Sequence, residues 1–125
     1  MSGNTTLYAR LGGYDAIAAV VSNLLARLMT DSQLGRFWKN RGEDGIAREK
    51  QLLINYLCAN SGGQIIYTGR DNATSHRGMK ISENDWGIFI KHLELTLQHF
   101  NVASPEYEEV LSFVQSNKVD IVEIP

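Results

Sequence analysis

YTGRDNATSHRGMKI, Tyr67 to Ile81, is the stretch whose reading decides the fold. It carries His76 on a short helical stretch, Asp71 to Arg77, and ends just before Ser82, a good cap for a fresh helix. Long segments with helical apolar spacing flank it on both sides. One imidazole thus faces the space between two long helices, where it can hold a metal or a metal-bearing cofactor. Taken alone, a histidine so placed is more often structural or solvated, and the surrounding motifs have to decide.

Toward the N-terminus, Thr6 to Leu11 reads as a short helix stopped by Gly12-Gly13. Residues 14–30 space Ile17, Val20, Val21, Leu24, Leu25, Leu28 and Met29 as one wide apolar stripe. Asp31-Ser32 breaks that helix, and Gln33 to Trp38 supplies one or two more turns. Residues 39–45 read as a polar loop. A second long helix is expected from about Ile46 to Asn60, with Leu52, Leu53, Tyr56 and Leu57 on its apolar side, and Gly62-Gly63 ends it. Gln64 to Gly69 is expected to be irregular, because its strand-like composition has no partner strand.

Toward the C-terminus, Ser82 with Glu83 and Asp85 opens a helix to about Phe100 that buries Trp86, Phe89, Ile90, Leu93 and Leu97. Ser104-Pro105-Glu106 starts the last helix, which is expected to reach about Val119 and to present Tyr107, Val110, Leu111, Phe113 and Val114. The fold class is therefore all-α, in one domain spanning residues 1–125.

Composition narrows the function classes. Apolar residues make up 43% and charged ones 21% of 125 residues, which describes a packed chain and not a disordered one. The net charge of −2 comes with no basic block, so nucleic acid is not an expected partner. Cys58 is the single cysteine and makes neither an internal disulfide nor a thiolate cage. No signal peptide and no ~20-residue apolar run are seen, so no membrane is expected as a partner and a cytoplasmic location is expected.

LYARLGGYDAIAAVV at the start, Ser61-Gly62-Gly63, YTGR, a histidine six residues after Arg70, and HRGMKIS before an aromatic-rich helix occur in this order. The set resembles a truncated haemoglobin of the first group, over Leu7 to about Val119. That resemblance implies a two-over-two helical sandwich around haem b, with His76 as the proximal iron ligand. It implies that Tyr67 and Arg70 face a haem propionate, with Arg48 as a further cation there. Apolar haem neighbours would be Phe37, Trp38, Leu53, Leu57, Met79, Trp86 and Phe89, each of which also reads as ordinary core.

The distal side departs from the family pattern. Leu25 stands where relatives usually carry a tyrosine whose hydroxyl donates to the gas ligand. Losing that donor costs about 1–3 kcal/mol, or about one to two powers of ten in affinity or off-rate. The second long helix offers two registers. Counting back from Gly62-Gly63 puts Glu49 and Leu53 over the iron, with Leu52 between them. Aligning Lys50-Gln51 on a Lys-Gln pair of some relatives puts Ala47 and Gln51 there instead, with Lys50 beside them. The glycine pair favours the first. A solvated helix face is the plain alternative for Glu49, Lys50 and Gln51. Asn72 and Ser75 stand where relatives are more often apolar, and either suits a bond to the His76 ring or a cap of the short helix. His92 and His99, two turns apart, are read as surface or interhelix residues.

Three functions follow as expectations. The first is reversible binding of diatomic gases (oxygen, nitric oxide, carbon monoxide), the ligand chemistry of oxygen transport. The second is redox, peroxidase-like or nitric oxide-detoxifying chemistry at the same haem, served by a reductase partner. The third is a haem-free helical interaction module. The chain is expected as a monomer or weak dimer.

Overall fold

The computed structural model describes residues 6–64, 67–69 and 71–124, the side chains of Asn72 and Ser75 excepted. The helices are α1 (Leu7–Leu11), α2 (Gly13–Thr30), α3 (Glu43–Asn60), α4 (Asn72–His76), α5 (Glu83–His99), α6 (Ser104–Gln115) and α7 (Lys118–Ile121), with a 3-10 turn at Leu34–Trp38. Among the described residues there is no strand, only an isolated parallel bridge between Ser82 and Ile124. The all-α expectation holds. The strand-like Ile65-Ile66 lies outside the described residues.

Local chemistry explains the boundaries. The Thr6 side chain accepts from Ala9 N, and Gly12 ends α1 in the left-handed region at φ 109°. A Cβ at Gly12 would come 2.9 Å from Ala16 Cβ, so only glycine lets α2 begin directly after α1. The Gly62-Gly63 pair has a second use: Tyr8 N donates to Ser61 O, and a Cβ on Gly63 would meet the Tyr8 ring at 2.8 Å. That glycine lets α1 sit on the end of α3. Ser82 and Asp85 form a reciprocal capping box at the start of α5.

Two boundaries differ from expectation. Helix α3 begins at Glu43, three residues before Ile46, because Gly42 serves as its extended N-cap and Glu43 and Asp44 suit the positive helix end. The last helix stops at Gln115, and a separate α7 follows, because Ser116 and Asn117 turn their side chains back onto the carbonyl of Phe113.

Helix α2 packs on both α3 and α5, and α5 on α6, which gives two helix pairs in a two-over-two arrangement. Leu24, Leu28, Leu34, Leu93 and Leu97 form one buried cluster. Ile17, Val21, Ile54 and Cys58 form a second, between α2 and α3. The inner face of α6 is apolar, yet no residue of that helix is fully buried, because Val110, Phe113 and Val114 line a cavity. No described helix is long and apolar enough to cross a membrane.

Candidate functional site: an apolar cavity reached by His76

The cavity measures ≈ 1190 Å³, above the ~300–1,000 Å³ typical of a small-ligand pocket. Helix α2 contributes Leu24, Leu25 and Leu28, and α3 contributes Glu49, Lys50, Leu52, Leu53, Tyr56 and Leu57. His76, Met79 and Ile81 reach it from α4 and the turn that follows. Trp86, Phe89 and Leu93 come from α5, Phe37 and Trp38 from the 3-10 turn, and Arg41 from the loop before α3.

His76 is presented by a helix of only five residues, too short to hold itself in isolation. The carboxylate of Asp71 caps it by accepting from Thr74 N at 2.7 Å, and these hydrogen bonds hold the Asp71 pKa below its usual value. The aromatic ring of Tyr67 packs edge-on against Tyr56, with centroids 5.2 Å apart, and Tyr56 leans in turn on Phe113. Burial pushes the Tyr67 hydroxyl pKa upward, and the neighbouring Tyr56 and Asp71 add to the shift. Tyr67 thus enters this pocket as a neutral hydroxyl.

The α3 face toward the cavity carries Glu49, Lys50, Leu52 and Leu53. Gln51 turns elsewhere: its amide donates to the Tyr14 hydroxyl at 2.8 Å and to Asn55 at 3.0 Å. The reason lies in helix rotation. Ile54 and Cys58 are buried against Ile17 and Val21, which leaves Leu53 and Leu57 facing inward and Gln51 outward. Ala47 and Arg48 are exposed and do not line the cavity, so no contact to it is made by the expected Arg48 cation. Arg70 lies outside the described residues.

Arg10, Arg41 and Lys50 line the cavity, Arg10 paired with Glu106 and Glu109 and the other two beside Glu49. Arg41 Nη1 lies 2.7 Å from Glu49 Oε2 as an ion pair, while that buried oxygen has no well-directed hydrogen bond. Sequence reasoning missed Arg41 because it sits in the polar run before α3, eight residues from its partner, a spacing that signals nothing. It also left out Ile81 and the α6 residues, which only the packing of α6 brings in. His92 and His99 stand away from the cavity: His92 contacts Asp31 between helices, and His99 packs edge-on against Phe100.

The sequence profile of the bacterial-like globins matches residues 6–123. The chain belongs to that family. Among curated relatives, the group 1 truncated hemoglobin GlbN of Nostoc commune is 32% identical over 89 residues, covering 71% of this chain and 73% of the relative. The group 1 truncated hemoglobin of Tetrahymena pyriformis is 24% identical and covers 94% of each chain. Among solved structures, the 2/2 hemoglobin of a Synechococcus species, crystallised in the cyanomet state with covalently attached heme, superposes with a TM-score of 0.86. Its identity is 24%, over 94% of this chain and 98% of that one. The Fe(III) form of the Tetrahymena pyriformis protein superposes at 0.84. This globin is therefore a truncated haemoglobin in fold and family, and the family implies a haem.

The residues fit that group. A flat, largely apolar macrocycle needs apolar walls, an imidazole within reach and cations for its carboxylates. The cavity of this globin offers Leu25, Leu53, Leu57 and Phe89 as walls, His76 as the imidazole, and Arg41 and Lys50 as cations.

Proposed function

We propose that this globin holds haem b through His76 and binds diatomic gases reversibly in a pocket bounded by Leu25 and Leu53. The observation that carries the reading is the convergence of His76 from α4 and of Leu25 and Leu53 from α2 and α3 on one apolar cavity. Bound haem would supply the iron at which a diatomic gas binds. His76 presents one ring nitrogen as ligand, and Asp71 holds the short helix that carries it. Leu25, only 7% exposed, and Leu53 are apolar walls that donate no hydrogen bond to a polarised ligand. Arg41 and Lys50 would meet the haem carboxylates, and Tyr67 would offer a hydroxyl from its place beside Tyr56. The protein works in the cytoplasm as a monomer or weak dimer, with a reductase as the partner that would return its iron to the ferrous state.

A second reading, peroxidase-like or nitric oxide-detoxifying turnover, draws on one feature. The Glu49 carboxylate has a buried oxygen without a well-directed hydrogen bond, next to Arg41. An acid–base group with a cation beside it suits proton movement on peroxide. Oxygen dissociation and autoxidation rates separate the two readings. Reversible gas binding requires a ferrous oxygenated form that persists for at least many dissociation events. Autoxidation faster than oxygen release, with turnover of peroxide and a small reductant, would instead establish the enzyme. Full folding without haem, and no Soret band after reconstitution, would leave the helical interaction module.

A further inference from the structure

The turn after His76 is built around a carboxylate from the far end of the chain. Gly78 has φ 85° and Lys80 φ 57°, so two residues of this turn adopt left-handed backbone, the second without glycine's freedom. These angles aim the N–H groups of residues 78 and 80 the same way. Gly78 N donates to Glu123 Oε2 at 3.1 Å and Lys80 N to Glu123 Oε1 at 2.8 Å. Such a concave pair of amides is an anion site, and the protein fills it with its own side chain. The backbone continues the attachment. Glu123 N and Ile124 N both donate to Ile81 O, at 2.8 and 3.1 Å, and Glu83 N donates to Ile124 O at 2.9 Å. On the other side, Met79 N donates to His76 O at 3.2 Å.

We infer that Glu123 is a positioning residue for His76: its carboxylate fixes the turn that ends α4, and so sets how the imidazole meets the haem iron. The inference rests on the reading of His76 as the proximal ligand. A five-residue helix has too few internal bonds to define its own position, so its two ends do so. Asp71 holds the first end and Glu123 the second. The hydrogen bonds from Lys80 and Gly78 keep the Glu123 pKa below the ordinary range, with Arg77 and Lys80 assisting, so the clamp is charged at neutral pH. Helix α7 packs on α4 and brings Glu123 into place.

The test uses the full chain and two readouts. In the haem-loaded ferrous protein, resonance Raman reports the iron–histidine stretching band, and amide exchange at residues 78 and 80 reports the clamp with or without haem. Glu123→Ala is expected to shift or broaden the band and to raise exchange at both amides about tenfold, the loss of a charge-assisted hydrogen bond. Glu123→Gln keeps an acceptor oxygen and is expected to fall between wild type and Glu123→Ala, which covers the case of an alanine variant that does not fold. Lys118→Ala breaks the 2.7 Å contact to Glu83, which ties α7 to α5 without touching the turn, and should leave the band in place. A purely structural role for Glu123 would lower the melting temperature and leave the band unmoved, and that result overturns the inference. A band that persists in His76→Ala overturns the proximal reading instead, while amide exchange in the haem-free protein still shows whether the clamp exists.

Discussion

Asp31 Oδ2 lies 2.7 Å from His92 Nε2, which fastens the end of α2 to the middle of α5. The same carboxylate accepts from Gln33 N and Leu34 N through its other oxygen, so it also starts the 3-10 turn that carries Phe37 and Trp38 to the cavity. One side chain joins two helices and orients part of the wall. The His92 bond, then the Leu34 and Gln33 bonds, hold the Asp31 pKa at about 2. A carboxyl whose pKa falls on folding stabilises the protein above its unfolded value of ~3.9, and that support is lost as the pH drops through the folded value. Melting temperature should therefore decline from about pH 4 toward about pH 2, and Asp31→Asn should flatten that decline. Parallel curves for the two proteins would show that the pair contributes nothing there.

Arg36 and Asp85 form a second tie, between the 3-10 turn and the start of α5. Asp85 is 1% exposed and accepts from Arg36, Gln33 and Ser82 N. The arginine is the first cause of its lowered pKa, so the acid stays ionised although buried. Arg36→Ala leaves that charge with fewer partners and should cost ~1–3 kcal/mol in denaturant unfolding, discounted because Arg36 itself is half in water. A change below measurement error would mean that solvent replaces the guanidinium in full.

Leu25 is the residue with the most predictable effect on ligand exchange. Leu25→Tyr places a hydroxyl on the cavity wall and should slow oxygen dissociation by at least about tenfold, the usual net energy of one hydrogen bond. Stopped-flow oxygen release measures it directly. An unchanged rate would mean that Leu25 does not face the ligand or that another donor already serves it.

The rotation of α3 makes a paired prediction. Gln51 bonds to Tyr14 and Asn55, so Gln51→Ala should leave gas binding and release unchanged to within about twofold. Leu53→Gln, on the cavity face, should slow oxygen release by about one power of ten. The reverse pattern would show that the second register operates when haem is bound.

Much of this was legible from residue order alone. The Gly12-Gly13 stop, the Ser82 cap with its acids, and the apolar stripes of α2 and α5 are local signals, and local physics honours them. Other features depend on tertiary contact. Helix α3 carries apolar residues on two adjacent faces, Leu53 with Leu57 and Ile54 with Cys58, so periodicity could not say which one meets α2. Packing against Ile17 and Val21 resolves it, and with it the positions of Glu49 and Gln51. The Arg41–Glu49 pair and the Glu123 clamp join residues with no sequence spacing that would betray them.

Cys58 gives a check on the α2–α3 packing. It is fully buried, and burial pushes its thiol pKa upward, which disfavours the reactive thiolate. A maleimide should label the native protein only as fast as the helices open, many times slower than in denaturant. Labelling at the rate of a free thiol would place Cys58 outside that core.

Haem ligation by His76 is tested most directly by the absorption spectra of the ferric and ferrous protein at neutral pH, for wild type and His76→Ala. The wild type should show a Soret band with a histidine-ligated ferrous spectrum that accepts carbon monoxide reversibly, and the alanine variant should lose that ligated spectrum until imidazole is added. A wild-type protein that takes up no haem, or an alanine variant with the wild-type spectrum, would contradict it.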